Sequence, residues 1–171
     1  MNGKIAAFAV ALATALPLFA PPAAAQVAGA FSAGRTELSI TGGSGYAFND
    51  SYLILGVGAG FYVVDGLNVG LGGQYWFGGD RNIYNITPSV EYVFYQVSTV
   101  KPYLGAFYRR TYIEGLPNLD STGLRAGFYV QSGSRNYFGF GLVHQEFMDC
   151  NTNTYVKCDS NYLEVSFKFT F

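Results

Sequence analysis

The final stretch of the chain, residues 161–171, limits the possible folds more than any other. Leu163, Val165, Phe167, Phe169 and Phe171 alternate with Tyr162, Glu164, Ser166, Lys168 and Thr170. Period-two alternation is the signature of a strand with one apolar and one polar face. Charge on the polar face argues against a strand buried on both sides. Two settings satisfy the pattern: a half-buried strand of a soluble sandwich, or the wall of a barrel whose apolar face meets lipid.

The same alternation recurs along the chain and predicts about eight strands. They run near 36–48, 52–64, 67–77, 84–95, 101–113 and 122–131, then from about 137, and finally over 161–171. In the second, Leu53, Leu55, Val57, Ala59, Phe61 and Val63 share one face, and Gly56, Gly58, Gly60 and Tyr62 the other. Asp65-Gly66 is a tight hairpin signal. Pro88 removes a ladder donor, so the fourth strand is expected to be the least regular. The predicted fold class is all-β, an antiparallel up-and-down transmembrane barrel.

Composition supports a membrane setting. Hydrophobic residues make up 50% of the chain and charged residues only 12%, against about 25% charged in typical soluble domains. Beyond residue 25 there is no apolar run of ~18 residues, so no transmembrane helix is available. Barrels reconcile the two facts, because only alternate residues face lipid. The formal net charge is −1 and no basic patch occurs, which argues against nucleic acid as a partner. At the other end, Lys4, an apolar run over 5–20 and Pro21-Pro-Ala-Ala-Ala25 match the three-part pattern of a secretory signal peptide, with cleavage expected before Gln26. The expected organisation is a signal peptide over 1–25, a tail over 26–34 and a barrel over 35–171.

The connections after the second, fourth and sixth strands are short, and those after the third, fifth and seventh are longer and polar. The loop at 49–51 departs from that rule. Gly58-Ala-Gly-Phe-Tyr-Val-Val-Asp-Gly-Leu-Asn-Val-Gly70 and Ile86-Thr-Pro-Ser-Val-Glu-Tyr-Val-Phe94, with the terminal aromatic strand, resemble the small outer-membrane β-barrel family, the OmpA-transmembrane-domain and OmpX-like group. The resemblance covers essentially the whole mature chain. It implies a monomer in a Gram-negative outer membrane, exported through a cleaved signal peptide, with both termini periplasmic. It further implies lipid and lipopolysaccharide as surroundings, and the barrel-assembly machinery as a partner that reads Phe167, Phe169 and Phe171.

Six charges fall on the expected inner face: Glu37, Glu91, Arg109, Arg125, Glu164 and Lys168. An unpaired charge in a closed lumen costs several kcal/mol, so they must pair or meet water. Glu91 and Arg109 are the expected pair, across the hairpin of strands four and five. A salt-bridged polar plug and a gate that switches partners both fit. Gly56, Gly58 and Gly60 lack the following helix that a dinucleotide loop requires, and are read as making room for Tyr and Trp in a narrow barrel. Outward aromatics form two expected girdles: Phe94, Phe128, Phe138, Phe169 and Phe171 at one end, Tyr46, Tyr75, Phe77, Tyr108 and Tyr112 at the other.

His144 is the single histidine. Some eight-stranded outer-membrane enzymes that act on lipid A use a His with a nearby Ser and carboxylate. Val143-His-Gln-Glu146 lacks a Ser two residues on, leaving Ser132, Ser134 or Ser160 to approach in space; a rim histidine is the simpler reading. Cys150 and Cys158 are expected to form a disulfide in an oxidising compartment. Asp149, Asn151 and Asn153 resemble the start of a calcium loop, but Thr154 stands where Gly is needed and Ser160 where Glu is needed. No metal, cofactor or catalytic residue is therefore expected. The leading functional expectation is a structural or surface barrel with a filled lumen. A narrow channel for small or hydrophobic solutes is the alternative, and a lipid A-modifying enzyme a more distant one.

Overall fold

The computed structural model describes residues 29–47, 50–79, 81–97, 99–148 and 158–171, with the backbone alone at 46, 47 and 50. The signal-peptide expectation, the Asn49 turn, Cys150 and the calcium-like run from Asp149 lie outside the described residues. Eight strands follow in order: β1 Thr36–Ala47, β2 Asp50–Val64, β3 Leu67–Phe77, β4 Ile83–Val93, β5 Val100–Ile113, β6 Leu119–Gln131, β7 Asn136–Phe147 and β8 Asp159–Thr170. Each pairs antiparallel with the next, and β1 closes on β8, so the sheet is a barrel without free edges. The expected fold class is the observed one, and the strand bounds move by only a few residues.

The register explains how the pattern becomes a wall. β1 meets β8 from Glu37↔Thr170 to Gly42↔Val165, which sets Ser39 beside Lys168 on one face and Ile40 beside Phe167 on the other. Every strand repeats that division. Leu163 is 72% exposed and Leu142 64% exposed, while Glu164 is buried. A soluble protein does the reverse: it hides its apolar face and hydrates its charges. Here an apolar exterior runs around the barrel, and the polar residues line the lumen. The sandwich reading of the terminal strand is thereby replaced by the barrel.

Local chemistry sets the turns. Gly66 adopts φ +80°, and a Cβ there would lie 2.6 Å from the Val93 carbonyl oxygen. Only glycine tolerates both demands in the β2–β3 turn. Lys101 Nζ donates to the carbonyls of Tyr95, at 2.8 Å, and Val97, drawing together the β4–β5 turn. Pro88 interrupts the β4–β5 ladder as expected: paired residues jump from Ile86↔Arg110 to Ser89↔Phe107. The described residues that precede β1, the C-terminal Phe171 and the three short turns gather at one end, the terminal end. Phe94, Phe128, Phe138 and Phe171 are exposed there, and Tyr75, Phe77 and Tyr108 near the opposite, loop end. The side chain of Tyr46 lies outside the described residues.

Residues 29–35 do more than lead into β1. Gly34 N–H donates to the Tyr62 carbonyl and Tyr62 N–H to the Arg35 carbonyl, at 2.8 and 2.9 Å. Gly66 N–H donates to the Phe31 carbonyl at 2.8 Å, and Ala33 N–H to Asp65 Oδ1 at 2.8 Å. These bonds turn the segment under the barrel mouth and leave Phe31 only 3% exposed.

A closed sheet has no unpaired backbone for detergent to invade. The purified protein in detergent is expected to migrate differently on a gel before and after boiling. Identical mobility, combined with a helical circular dichroism spectrum, is the outcome that excludes the barrel.

Candidate functional site: the ion network of the lumen

All six charges expected on the inner face lie there. They are arranged in levels along the axis, each set by strand register. Nearest the terminal end, Lys168 Nζ lies 2.9 Å from Glu37 Oε1 and 2.7 Å from Glu91 Oε1. It therefore links β8 to β1 and β4. Tyr62 donates to Glu37 Oε2 at 2.6 Å, and Tyr129 donates to Glu91 at 2.9 Å. Asn68 Nδ2 reaches Glu37 Oε2 at 3.5 Å. The Lys168 ammonium also lies 4.4 Å from the Tyr129 ring centroid. All three charged groups are buried, so each lone pair needs these donors.

The next level holds Arg125 and Glu164, 3.5 Å apart. Above it Arg109 takes a set of neutral partners. Its Nε donates to Thr87 Oγ1 at 3.1 Å, and its Nη1 to Gln145 Oε1 at 2.7 Å and to the Tyr162 hydroxyl at 2.8 Å. The expected Glu91–Arg109 pair is thus not formed. The register is the reason: Ile86↔Arg110 and Ser89↔Phe107 place Arg109 opposite Thr87. Glu91 is four residues further along β4, roughly 13 Å at ~3.3 Å per residue, and its own opposite residue is Gly105.

The glycine reading also needs correction. A Cβ at Gly58 would lie 2.7 Å from Ser39 Oγ, and one at Gly56 would lie 2.7 Å from Gln74 Cγ and collide with the Thr41 hydroxyl. Gly60 gives its space to Asn68. These three glycines therefore admit polar side chains. The large rings are housed elsewhere: Trp76 against Gly45, Tyr129 against Gly139, and Tyr103 against Gly127 and Gly141.

Two aromatic or apolar layers bracket the ions. At the terminal end Phe31 packs among Tyr62, Val93, Tyr103, Tyr129 and Tyr137. Its ring centroid is 4.7 Å from that of Tyr137 and 5.8 Å from that of Tyr62. At the loop end Tyr52, Ile83 and Ile113 pack with Trp76 and with Leu116 from the β5–β6 loop. Between the layers is a cavity of about 60 Å³ lined by the ion network. Phe31 was invisible to a strand pattern, because it precedes the first alternating segment. Gln145 and Tyr162 were legible as inward by parity, but nothing in the sequence marks them as partners of Arg109.

His144 is on the outer face of β7. Its Nδ1 is 2.7 Å from Asn161 Oδ1, and its Nε2 is 3.4 Å from Glu146 Oε1. Ser160 pairs in register with inward-facing Gln145, so it is on the other side of the wall. Ser132 and Ser134 belong to the β6–β7 connection, at the opposite end of β7 from His144. None of the three named serines joins the histidine. Cys158 has a partner, but the expected pairing with Cys150 involves a residue outside the described set. Among the described residues there is no group of three or more His, Cys, Asp or Glu that could hold a metal.

No protein-family model matches this sequence, and no curated protein matches it. Solved structures do match. The crystal structure of Neisserial surface protein A aligns at a TM-score of 0.59 and 19% identity, covering 80% of this chain and 96% of that one. The outer membrane protein OprG from Pseudomonas aeruginosa aligns at 0.52 and 11% identity, covering 82% and 97%. A de novo designed transmembrane β-barrel aligns at 0.50 and 13% identity, covering 82% and 98%. At these identities the likeness is one of fold: the chain has the architecture of small outer-membrane barrels.

Replacing Lys168 by Gln leaves Glu37 and Glu91 buried without their cation. The expected loss is about 3–5 kcal/mol of stability, reduced where lumen water enters. A double-mutant cycle between Lys168→Gln and Glu91→Gln is expected to show coupling above about 1 kcal/mol, whereas Arg109→Gln with Glu91→Gln should be additive within about 0.5 kcal/mol. Coupling in the second cycle and none in the first would reverse the assignment of partners.

Proposed function

We propose that this chain is a structural or surface barrel of the Gram-negative outer membrane, of the OmpA-transmembrane-domain and OmpX-like kind, with no catalytic chemistry. The observation that carries the reading is the lumen: charged side chains are paired across it, and an aromatic or apolar layer lies on either side of them. An eight-stranded barrel is just wide enough for side chains to fill, and here they leave only a cavity of about 60 Å³ among the charged groups. The apolar exterior supports insertion in lipid, with the terminal end periplasmic and the loop end at the lipopolysaccharide surface. The chain would be a monomer, exported through a cleaved signal peptide over 1–25.

The loops support a surface role. Asn82 Nδ2 donates to Glu114 Oε2 at 2.6 Å and Tyr75 donates to Asn82 Oδ1 at 2.6 Å. Arg81 Nη1 donates to the Glu114 carbonyl at 3.0 Å. The β3–β4 and β5–β6 loops are thereby tied into one rim instead of standing as separate arms. A Cys150–Cys158 disulfide would restrain the third long loop beside them.

Planar-bilayer recording tests the filled-lumen reading. The protein is expected to show no steady conductance at moderate voltage. A stable conductance step that scales with salt would instead support a narrow channel. The address carried by Phe167, Phe169 and Phe171 has a separate test. Deletion of Phe171 is expected to leave exported but unassembled chain in the periplasm, and normal outer-membrane levels of the truncated protein would contradict that role.

A further inference from the structure

The apolar band around the barrel is uneven. β2 presents Leu53, Leu55, Val57, Ala59, Phe61 and Val63 outward without a break. β7 presents only Phe138, Phe140 and Leu142 before His144 and Glu146 take over the same face. Each outward step advances about 6.6 Å along a strand, or roughly 5 Å along the axis at a tilt of about 40°. The band is therefore roughly 30 Å tall on β2 and about 15 Å on β7, where about 25 Å is usual for such barrels. The neighbouring strands widen the gap. Asn161 and Asp159 on β8 pair with His144 and Glu146, Thr122 on β6 pairs with Glu146 from the other side, and all five are exposed. Toward the loop end of β2, β3 and β4 the outer face instead carries Leu53, Phe77 and Tyr84.

The backbone shows a second feature in the same place. The closing ladder ends at Gly42↔Val165, although β1 runs on to Ala47 and β8 begins at Asp159. Beyond that pair β1 pairs in register only with β2, and β8 only with β7. Backbone without a ladder partner is not tolerated in hydrocarbon. The ladder stops within two residues of Leu163, the last outward apolar residue of β8. Closure is thus complete beside the apolar side chains and ends where polar ones begin. The terminal end does not compensate: below Phe138, β7 starts at Asn136, preceded by Arg135. A rigid tilt that lifted His144 out of the lipid would draw these two residues into it.

We propose that the barrel thins the loop-end leaflet along β7, β8 and the upper part of β1, bringing lipid headgroups and their water down to His144 and Asn161. The inference rests on the reading that the barrel spans a membrane. An apolar band shorter than the hydrocarbon is accommodated by local thinning of the bilayer. Headgroups and water at this level meet exposed side chains that donate and accept hydrogen bonds, and they hydrate the N–H and C=O groups of the unladdered seam.

Tryptophans at matched levels read the boundary. His144 is eight residues above Asn136, at the terminal end of β7, and Leu55 is nine above Val64, at that of β2. His144→Trp and Leu55→Trp are each made in a Trp76→Phe background and placed in vesicles. Phosphatidylcholine brominated halfway along its acyl chains quenches from the hydrocarbon, and iodide quenches from water. Leu55→Trp is expected to lose most of its emission to the brominated lipid and to keep it in iodide. His144→Trp is expected to do the reverse, and Asn161→Trp should repeat that result, which also serves where His144→Trp does not fold. Equal, strong quenching by brominated lipid at 55, 144 and 161 overturns the proposal. Shielding of 144 and 161 from both quenchers overturns it too, and assigns the face to a second copy of the chain. If Leu55→Trp itself escapes the brominated lipid, the membrane reading falls, and the thinning with it.

Discussion

Closure of β1 on β8 is the constraint on which the rest of this structure depends. Inside a bilayer no water is available to an unpaired N–H or C=O, so a sheet is stable there only when it has no edge. The closing ladder also sets the face of every residue in β8. With Gly42 opposite Val165, Lys168 and Glu164 point into the lumen while Leu163 and Phe167 point out. A slip of one residue would exchange the faces, turning Lys168 and Glu164 into lipid, where a cation at the midplane costs about 2–4 kcal/mol. Lys168 enforces the register from inside as well, because its ammonium meets Glu37 on β1 and Glu91 on β4 at once. Hydrophobic exterior, hydrogen-bond closure and lumen charge therefore all select one register.

The interior follows from that closure. Eight strands enclose a space that side chains can fill, and the filling is graded along the axis. Phe31 and its tyrosines lie at the terminal end, paired charges in the middle, and Tyr52, Trp76 and the two isoleucines at the loop end. The aromatic layer at the terminal end is not only packing. Tyr62 and Tyr129 direct their hydroxyls upward to Glu37 and Glu91, so the rings that close the mouth also complete the carboxylates above them.

Much of this was legible in the sequence. Alternation alone placed Leu163, Lys168, Gly58 and Trp76 on their faces, since period two is a local property of a strand. Asp65-Gly66 disclosed its turn because a positive φ demands glycine there. What failed was anything that needed cross-strand stagger. Glu91 and Arg109 were both correctly inward, but pairing them ignored the offset that puts Thr87 opposite Arg109. The partners of Lys168 come from strands far away in sequence, and residue types cannot reveal which of several inward acids it meets. Phe31 was missed for a different reason: one buried aromatic in a short turn has no periodicity to detect.

The central claim is an inside-out barrel: apolar residues against lipid, polar and aromatic residues within. The chain has a single tryptophan, Trp76, which packs in the lumen against Tyr52 with ring centroids 5.7 Å apart. Fluorescence quenching by lipids brominated along their acyl chains reads its side of the wall directly. In vesicles of such lipids the native tryptophan is expected to keep most of its emission. A Trp76→Phe, Leu142→Trp protein, carrying its one indole on the outer face of β7, is expected to lose most of it. Strong quenching of native Trp76 with an unquenched indole at position 142 would contradict the account.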